Sequence, residues 1–181
     1  MSMIDKVMAA VTPTESEEAR GEARRRAQAA AASGDWLALV LDHHRQLDAA
    51  FAAVKNARSA IDRRLAQKRL SVLLTGHAIA EESVLYAALA LHGEKGHADI
   101  AYSEQATVKT DMAALEVLDA MSQEYLAKLE QIRAAVAHHM YEEEGRWFLE
   151  LKQNVPSLDQ KKLTERYVEE FNRYVGHDLA A

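Results

Sequence analysis

The chain has 181 residues, with seven Gly, two Pro, no Cys and a formal net charge of −6. This length suits one domain, and few Gly and Pro beside many helix-forming residues favour an all-α protein. Without Cys, a disulfide framework, thiolate metal ligands and thiol catalysis are excluded. The negative charge argues against a nucleic acid as partner.

The sequence shows no sign of a membrane segment. No stretch approaches the roughly 20 apolar residues that a membrane helix needs. Residues 1–11 lack the basic segment and long apolar run of a secretory signal. We therefore expect a cytoplasmic protein with no membrane partner.

Breaks and caps divide the chain into three parts. Residues 1–34 form an N-terminal extension with a charged, Ala-rich helix from 14 to 32, which Ser33-Gly34 ends. Asp35 is a good N-cap for the next helix. Residues 35–154 form the main domain, with helices predicted over 35–56, 59–93, 97–120 and 122–155. Residues 155–181 form a C-terminal helix packed on that domain, begun by the capping-box spacing of Ser157 and Gln160.

The four central helices predict an all-α, up-down-up-down four-helix bundle with additional N- and C-terminal helices. Each carries a stripe with steps of three and four, the spacing of a buried helix face. The stripes are Leu37, Val40, His44, Leu47, Phe51 and Val54; Leu70, Leu74, His77, Glu81, Val84 and Ala88; Ala101, Gln105, Val108, Met112 and Leu115; and Leu129, Ile132, Val136, His139 and Glu143.

Six polar residues interrupt these apolar stripes: His44, His77, Glu81, Gln105, His139 and Glu143. A buried carboxylate without a partner is costly, and no Lys or Arg lies on the stripes to neutralise one. A divalent cation would neutralise the carboxylates and would also use the imidazoles. The mixed nitrogen and oxygen donors suit iron, manganese or zinc rather than calcium or magnesium.

Four of these six residues belong to a motif that occurs twice, 62 residues apart. His77-x3-Glu81-Glu82 is followed by Tyr86, and His139-x3-Glu143-Glu144 is followed by Phe148. Residues four apart share a helix face, so each copy directs one imidazole and one carboxylate to a single point. Glu82 and Glu144, five residues after each His, are rotated about 140° from it and therefore lie off this face.

We therefore predict His44, His77, Glu81, His139 and Glu143 as metal ligands. If both glutamates bridge, two metals share the site. Glu144 and His43 lie off the stripes, and we expect them beside the ligands or on the surface. A layer of hydrogen-bonded polar side chains without metal is the alternative, because a lone buried His such as His44 is more often structural.

Residues 35–154 resemble the hemerythrin-like HHE cation-binding family. Asp42-His43-His44-Arg45 resembles its first histidine motif, and the two His-Glu segments resemble the other two. The resemblance implies a four-helix bundle with a non-haem di-iron centre, bridged by the two carboxylates and an oxo or hydroxo group. It also implies chemistry with dioxygen, nitric oxide or peroxide, or iron handling.

The third helix departs from the family pattern. Where the family has a histidine, the heptad phase of this chain places Gln105, whose amide oxygen is a weak ligand. Lys109 stands where oxygen carriers have a second histidine, which argues against reversible oxygen carriage. Two interpretations remain open: a mononuclear or asymmetric site, or a replacement donor from Glu104 or Tyr102.

The leading functional hypothesis is an iron protein that senses or reacts with dioxygen, nitric oxide or peroxide, as in a stress response. The alternatives are a small di-iron oxidase or peroxidase, an iron-handling or repair protein, and an interaction module with a structural metal. The repair alternative is disfavoured, since such proteins often carry a cysteine. A homodimer through the terminal helices is compatible with the sequence.

Overall fold

The computed structural model describes residues 15–93 and 95–176, and all regular structure within them is helical. This confirms the all-α prediction. Residues 1–14, Glu94 and residues 177–181 lie outside the described part. The start of the predicted N-terminal extension is therefore not described. The helices are α1 (Glu17–Ala30), α2 (Trp36–Asn56), α3 (Ala60–Leu91), α4 (Lys95–Val117), α5 (123–154) and α6 (Ser157–Val175).

The predicted helix starts are largely correct. Asp35 Oδ1 accepts a hydrogen bond from the Ala38 amide at 2.8 Å, as an N-cap does. Gly34 has φ +75°, a left-handed conformation that glycine adopts easily and that ends the preceding segment.

The capping box predicted at the start of α6 is wrong. This helix begins after Pro156 without a side-chain cap. The Gln160 amide instead donates to the carbonyls of Lys152 and Val155, at 2.8 and 3.1 Å. It therefore ties α6 to the end of α5.

The four central helices pack around a common core. Helix α2 packs against α3 and α5, and α4 packs against the same two helices. The four predicted stripes are buried, except that Leu74 is half-buried. The helices therefore form a bundle, while its up-down-up-down order stays a prediction.

The terminal helices cover two sides of this bundle. Helix α6 lies on α3 and α2, and α1 lies on α2 and on the second half of α5. Helix α6 brings Tyr167 to two buried histidines, and α1 brings Arg24 to Glu144, which contacts a third.

Contrary to the prediction from sequence, helix α3 is long and apolar enough to cross a membrane by length and composition. Most of its apolar stretch is buried inside the bundle. It carries His77 and Glu81, so its apolar character is that of a core helix.

Candidate metal centre

Four of the five predicted ligands meet in the middle of the bundle. His44, His77, Glu81 and Glu143 each present one atom to a common centre, and these atoms all lie within 4.8 Å of one another. His77 Nε2 is 3.2 Å from Glu81 Oε1, and His44 Nε2 is 3.3 Å from Glu143 Oε2. All four side chains are buried.

Three of the four atoms lack a hydrogen bond of good geometry: His44 Nε2, Glu81 Oε1 and Glu143 Oε2. Buried polar atoms are nearly always satisfied, so three unsatisfied atoms around one point need an explanation. Two imidazole nitrogens and two carboxylate oxygens are a donor set that a divalent transition metal accepts. The residues present therefore fit one metal ion at this position.

Without a metal the cluster retains protons. Burial, reinforced by Glu143, raises the pKa of Glu81 to about 7. Burial opposes protonation of His44, yet Glu143, Glu144 and Glu81 hold its pKa well above the usual value. Burial and His44 lower the pKa of His77, which leaves this imidazole neutral. A cation entering the cluster would displace protons from Glu81 and His44.

Each metal-facing glutamate begins a π-helical turn, at Glu81–Leu85 and at Glu143–Trp147. The backbone N–H of Tyr86 donates a hydrogen bond to the carbonyl oxygen of Glu81, five residues back. In an α-helix Tyr86 would point about 140° away from Glu81. The wider π turn brings it back over Glu81. The motif spacing did not predict this change of register.

Tyr86, the aromatic residue after the first motif, also belongs to the site. Its side chain is fully buried, and its hydroxyl lies 3.1 Å from Glu81 Oε2 and 2.7 Å from Glu143 Oε1. Burial and the two carboxylates raise the pKa of Tyr86, so the phenol is protonated. The signal that could have found it is its place nine residues after His77, matched by Phe148 after His139.

His139, the fifth predicted ligand, lies on the Tyr86 side of the carboxylates. Its Nε2 is 2.8 Å from the Tyr86 hydroxyl and 3.3 Å from Glu143 Oε1. Its Nδ1 is 2.8 Å from Glu104 Oε2, so Glu104 orients the ring. Burial lowers the pKa of His139, but Glu143, Glu104 and Glu81 together raise it to about 10.

Glu144 contacts His44 on the side of the ring that faces away from the cluster. Glu144 is buried, and its Oε1 is 2.7 Å from His44 Nδ1. Arg24 of α1 donates to both Glu144 oxygens at 3.0 and 3.1 Å. In the sequence, Arg24 belongs to the basic run Arg24-Arg25-Arg26 among acidic residues, a pattern typical of a solvated helix face. The structure instead places Arg24 on the buried Glu144, 120 residues away, which no local pattern indicates.

Helix α6 supplies a second support. The hydroxyl of Tyr167 lies 2.8 Å from His43 Nδ1 and 3.1 Å from His77 Nδ1. His43 is buried and stacks on Phe171, with 3.9 Å between ring centroids. Burial and the neighbouring His44 lower the pKa of His43 to about 4, so this ring is neutral. No motif in the sequence indicated Tyr167.

The helices that carry this cluster lie in a segment that matches a known family. Residues 35–151 match the model of the hemerythrin HHE cation binding domain. The chain belongs to this family. No curated protein and no solved structure gives a match. Membership of the hemerythrin HHE family confirms the resemblance seen in the sequence and implies that the domain binds a cation.

Helix α4, the third helix of this hemerythrin domain, offers no replacement donor to the cluster. Tyr102 directs its hydroxyl to the carbonyl of Glu82 at 2.6 Å, and Lys109 Nζ lies 2.6 Å from Glu82 Oε1. Gln105 is buried, and its amide nitrogen donates to Glu81 Oε2 at 2.8 Å. The side-chain oxygen of Gln105 has no hydrogen-bond partner.

A cavity of 190 Å³ lies between α3, α4 and α5 of the domain. Its walls are mainly apolar, and His77, Gln105 and His139 line it as well. Gln105 Oε1 is the polar atom that this side chain can offer to the cavity, because its nitrogen faces Glu81 and Tyr86. The cavity therefore gives a small molecule an approach to the candidate metal centre.

Proposed function

We propose that the protein holds iron between His44, His77, Glu81 and Glu143, and that dioxygen, nitric oxide or peroxide is the ligand of this iron. The observation that carries the proposal is the set of three buried metal-donor atoms around one point, none of which makes a hydrogen bond of good geometry. The nitrogen and oxygen donors suit iron, and they would also accept manganese or zinc.

The chain's own residues would orient the two histidines. Nε2 of each ring faces the cluster, so Nδ1 carries the proton. His44 then donates from Nδ1 to Glu144, and His77 donates from Nδ1 to the Tyr167 hydroxyl. Such supports fix the ring orientation and make the imidazole a better donor.

A bound iron would supply redox chemistry and an affinity for small oxygen or nitrogen ligands. The apolar cavity supports a reactive role over a purely structural metal, because a structural site needs no approach from outside. Its apolar walls favour small uncharged ligands such as dioxygen, nitric oxide or hydrogen peroxide, since a charged substrate would lose its hydration there.

The direct test is the iron content of variants purified from iron-supplied cells. His77→Ala and Glu81→Ala each remove one donor, and we expect both to lose most of the bound iron. His92→Ala is the matched control, because His92 is an exposed residue in the turn after α3. Circular dichroism checks that each variant is folded. Iron content unchanged in both donor variants would refute the site.

The ligand class requires a second measurement on the same preparation. The reduced, iron-loaded protein is mixed with dioxygen, nitric oxide or hydrogen peroxide, and its visible spectrum is recorded. We expect a spectral change with at least one of them. Stoichiometric metal with no change for all three would favour the structural-metal alternative.

A further inference from the structure

The two carboxylates at the centre present a second pair of oxygens on their far side. Glu81 Oε1 and Glu143 Oε2 belong to the four-atom cluster, while Glu81 Oε2 and Glu143 Oε1 point away from it. A second cation shared by both carboxylates would have to lie among those far oxygens and His139 Nε2.

A phenol oxygen already lies in that position. The Tyr86 hydroxyl is 2.7 Å from Glu143 Oε1, 3.1 Å from Glu81 Oε2 and 2.8 Å from His139 Nε2. The Gln105 amide nitrogen completes the surroundings at 2.7 Å from the same hydroxyl. Metal–ligand bonds of about 2.0–2.2 Å to these atoms would require the space that the hydroxyl occupies.

We propose that this domain holds a single cation, at His44, His77, Glu81 and Glu143, and that Tyr86 and Gln105 replace the second metal by hydrogen bonds. This inference rests on the proposed function, because it concerns the same centre. It differs from the di-iron centre that the family resemblance implies. It also gives His139 another role, as a hydrogen-bond partner of Tyr86 rather than a ligand.

The Gln105 amide supports the assignment. Its nitrogen donates to Glu81 Oε2 at 2.8 Å as well as to Tyr86. An amide N–H group is a donor without a lone pair for a metal. The side chain therefore satisfies the far oxygen of Glu81 in the way that a cation would otherwise do.

The second copy of the motif shows what the hydroxyl adds. Phe148 follows Glu143 at the spacing at which Tyr86 follows Glu81, and it packs edge-on against Trp36 with 5.6 Å between ring centroids. A phenyl ring thus suits the position after a π turn. Only the copy with Tyr86 places an oxygen among the carboxylates.

The experiment is a titration of the full-length metal-free protein with Co²⁺ and, anaerobically, with Fe²⁺, with bound metal counted by mass spectrometry. We expect one cation per chain for the wild type and for Tyr86→Phe. The double variant Tyr86→Phe/Gln105→His removes the hydroxyl and adds an imidazole, so we expect it to bind two. Circular dichroism confirms the fold of each protein.

His139 provides an independent readout. His139→Ala should keep the single cation, whereas His77→Ala should lose it. Two cations per wild-type chain would overturn the inference and leave the proposed function intact. A double variant that still binds one cation would refute the role of Tyr86 and Gln105. A wild type that binds none would refute the proposed function itself.

A visible spectrum of the ferric protein adds a further check. A bound phenolate gives a charge-transfer band, which we do not expect here. A band that is present in the wild type and absent in Tyr86→Phe would make Tyr86 a metal ligand and overturn the inference.

Discussion

His44 owes its orientation to a residue just beyond the motif glutamate. Glu144 follows the metal-facing Glu143, yet it is buried and holds His44 Nδ1 at 2.7 Å. Arg24 balances its charge from α1. A buried carboxylate that fixes the tautomer of a candidate ligand affects metal affinity without touching the metal.

We predict that Glu144→Gln lowers metal affinity about 10-fold or more. The neutral amide binds Arg24 and His44 less strongly, so the imidazole is less well oriented. The measurement is the dissociation constant of Zn²⁺ or Fe²⁺ in competition with a chelator, with the melting temperature recorded in parallel. Glu142→Gln is the control, since Glu142 is half-buried and precedes the π turn. Equal affinities in the two variants would contradict the prediction.

At the scale of elements, the π turns and the docking of α6 determine which side chains reach the centre. The π turn after Glu81 places Tyr86 among the carboxylates. Helix α6 brings Tyr167 to His43 and His77. This helix approaches α3 closely at Gly76, where an added Cβ would collide with Val175.

We predict that Gly76→Ala destabilises the protein by about 1–3 kcal/mol relative to Gly96→Ala, because the new methyl group overpacks the contact between α3 and α6. Both substitutions replace a helical glycine, and a Cβ at Gly96 would meet nothing within 4 Å. Gly96→Ala is therefore expected to be neutral or stabilising by up to about 1 kcal/mol. Denaturant unfolding measures both, and equal free energies of unfolding would show that α6 moves aside without cost.

At the scale of the whole molecule, three helices enclose the approach to the centre. The cavity between α3, α4 and α5 is lined by His77 and His139 at the centre and by Ala113 of α4, which is exposed. A small ligand that uses this approach must pass between helices whose separation depends on the packing of the bundle.

We predict that Ala113→Trp slows the reaction of the reduced iron protein with dioxygen or peroxide several-fold and leaves the iron content unchanged. The indole would fill part of the 190 Å³ cavity. Ala114→Trp is the matched control, since Ala114 is exposed and lies outside the cavity lining. Stopped-flow absorbance measures both rates. Equal rates in the two variants would mean that the ligand enters by another route.

The sequence by itself determined the all-α class, the positions of the described helices and the buried stripes. These properties depend on local periodicity, caps and helix breaks, which can be identified from neighbouring residues in the sequence. The same periodicity singled out His44, His77, Glu81 and Glu143, because polar residues on a buried helix face must meet partners inside the bundle.

The tertiary structure alone decided how the centre is completed. Tyr86 enters it because a π turn changes the helix register, and this turn is not specified by the His-x3-Glu spacing. Arg24 binds Glu144 across 120 residues of sequence, and Tyr167 binds His77 across 90, at contacts that exist only once α1 and α6 are docked. His139 faces Tyr86 for the same reason: spacing sets the face of a helix, whereas the packing of its neighbours sets what that face meets.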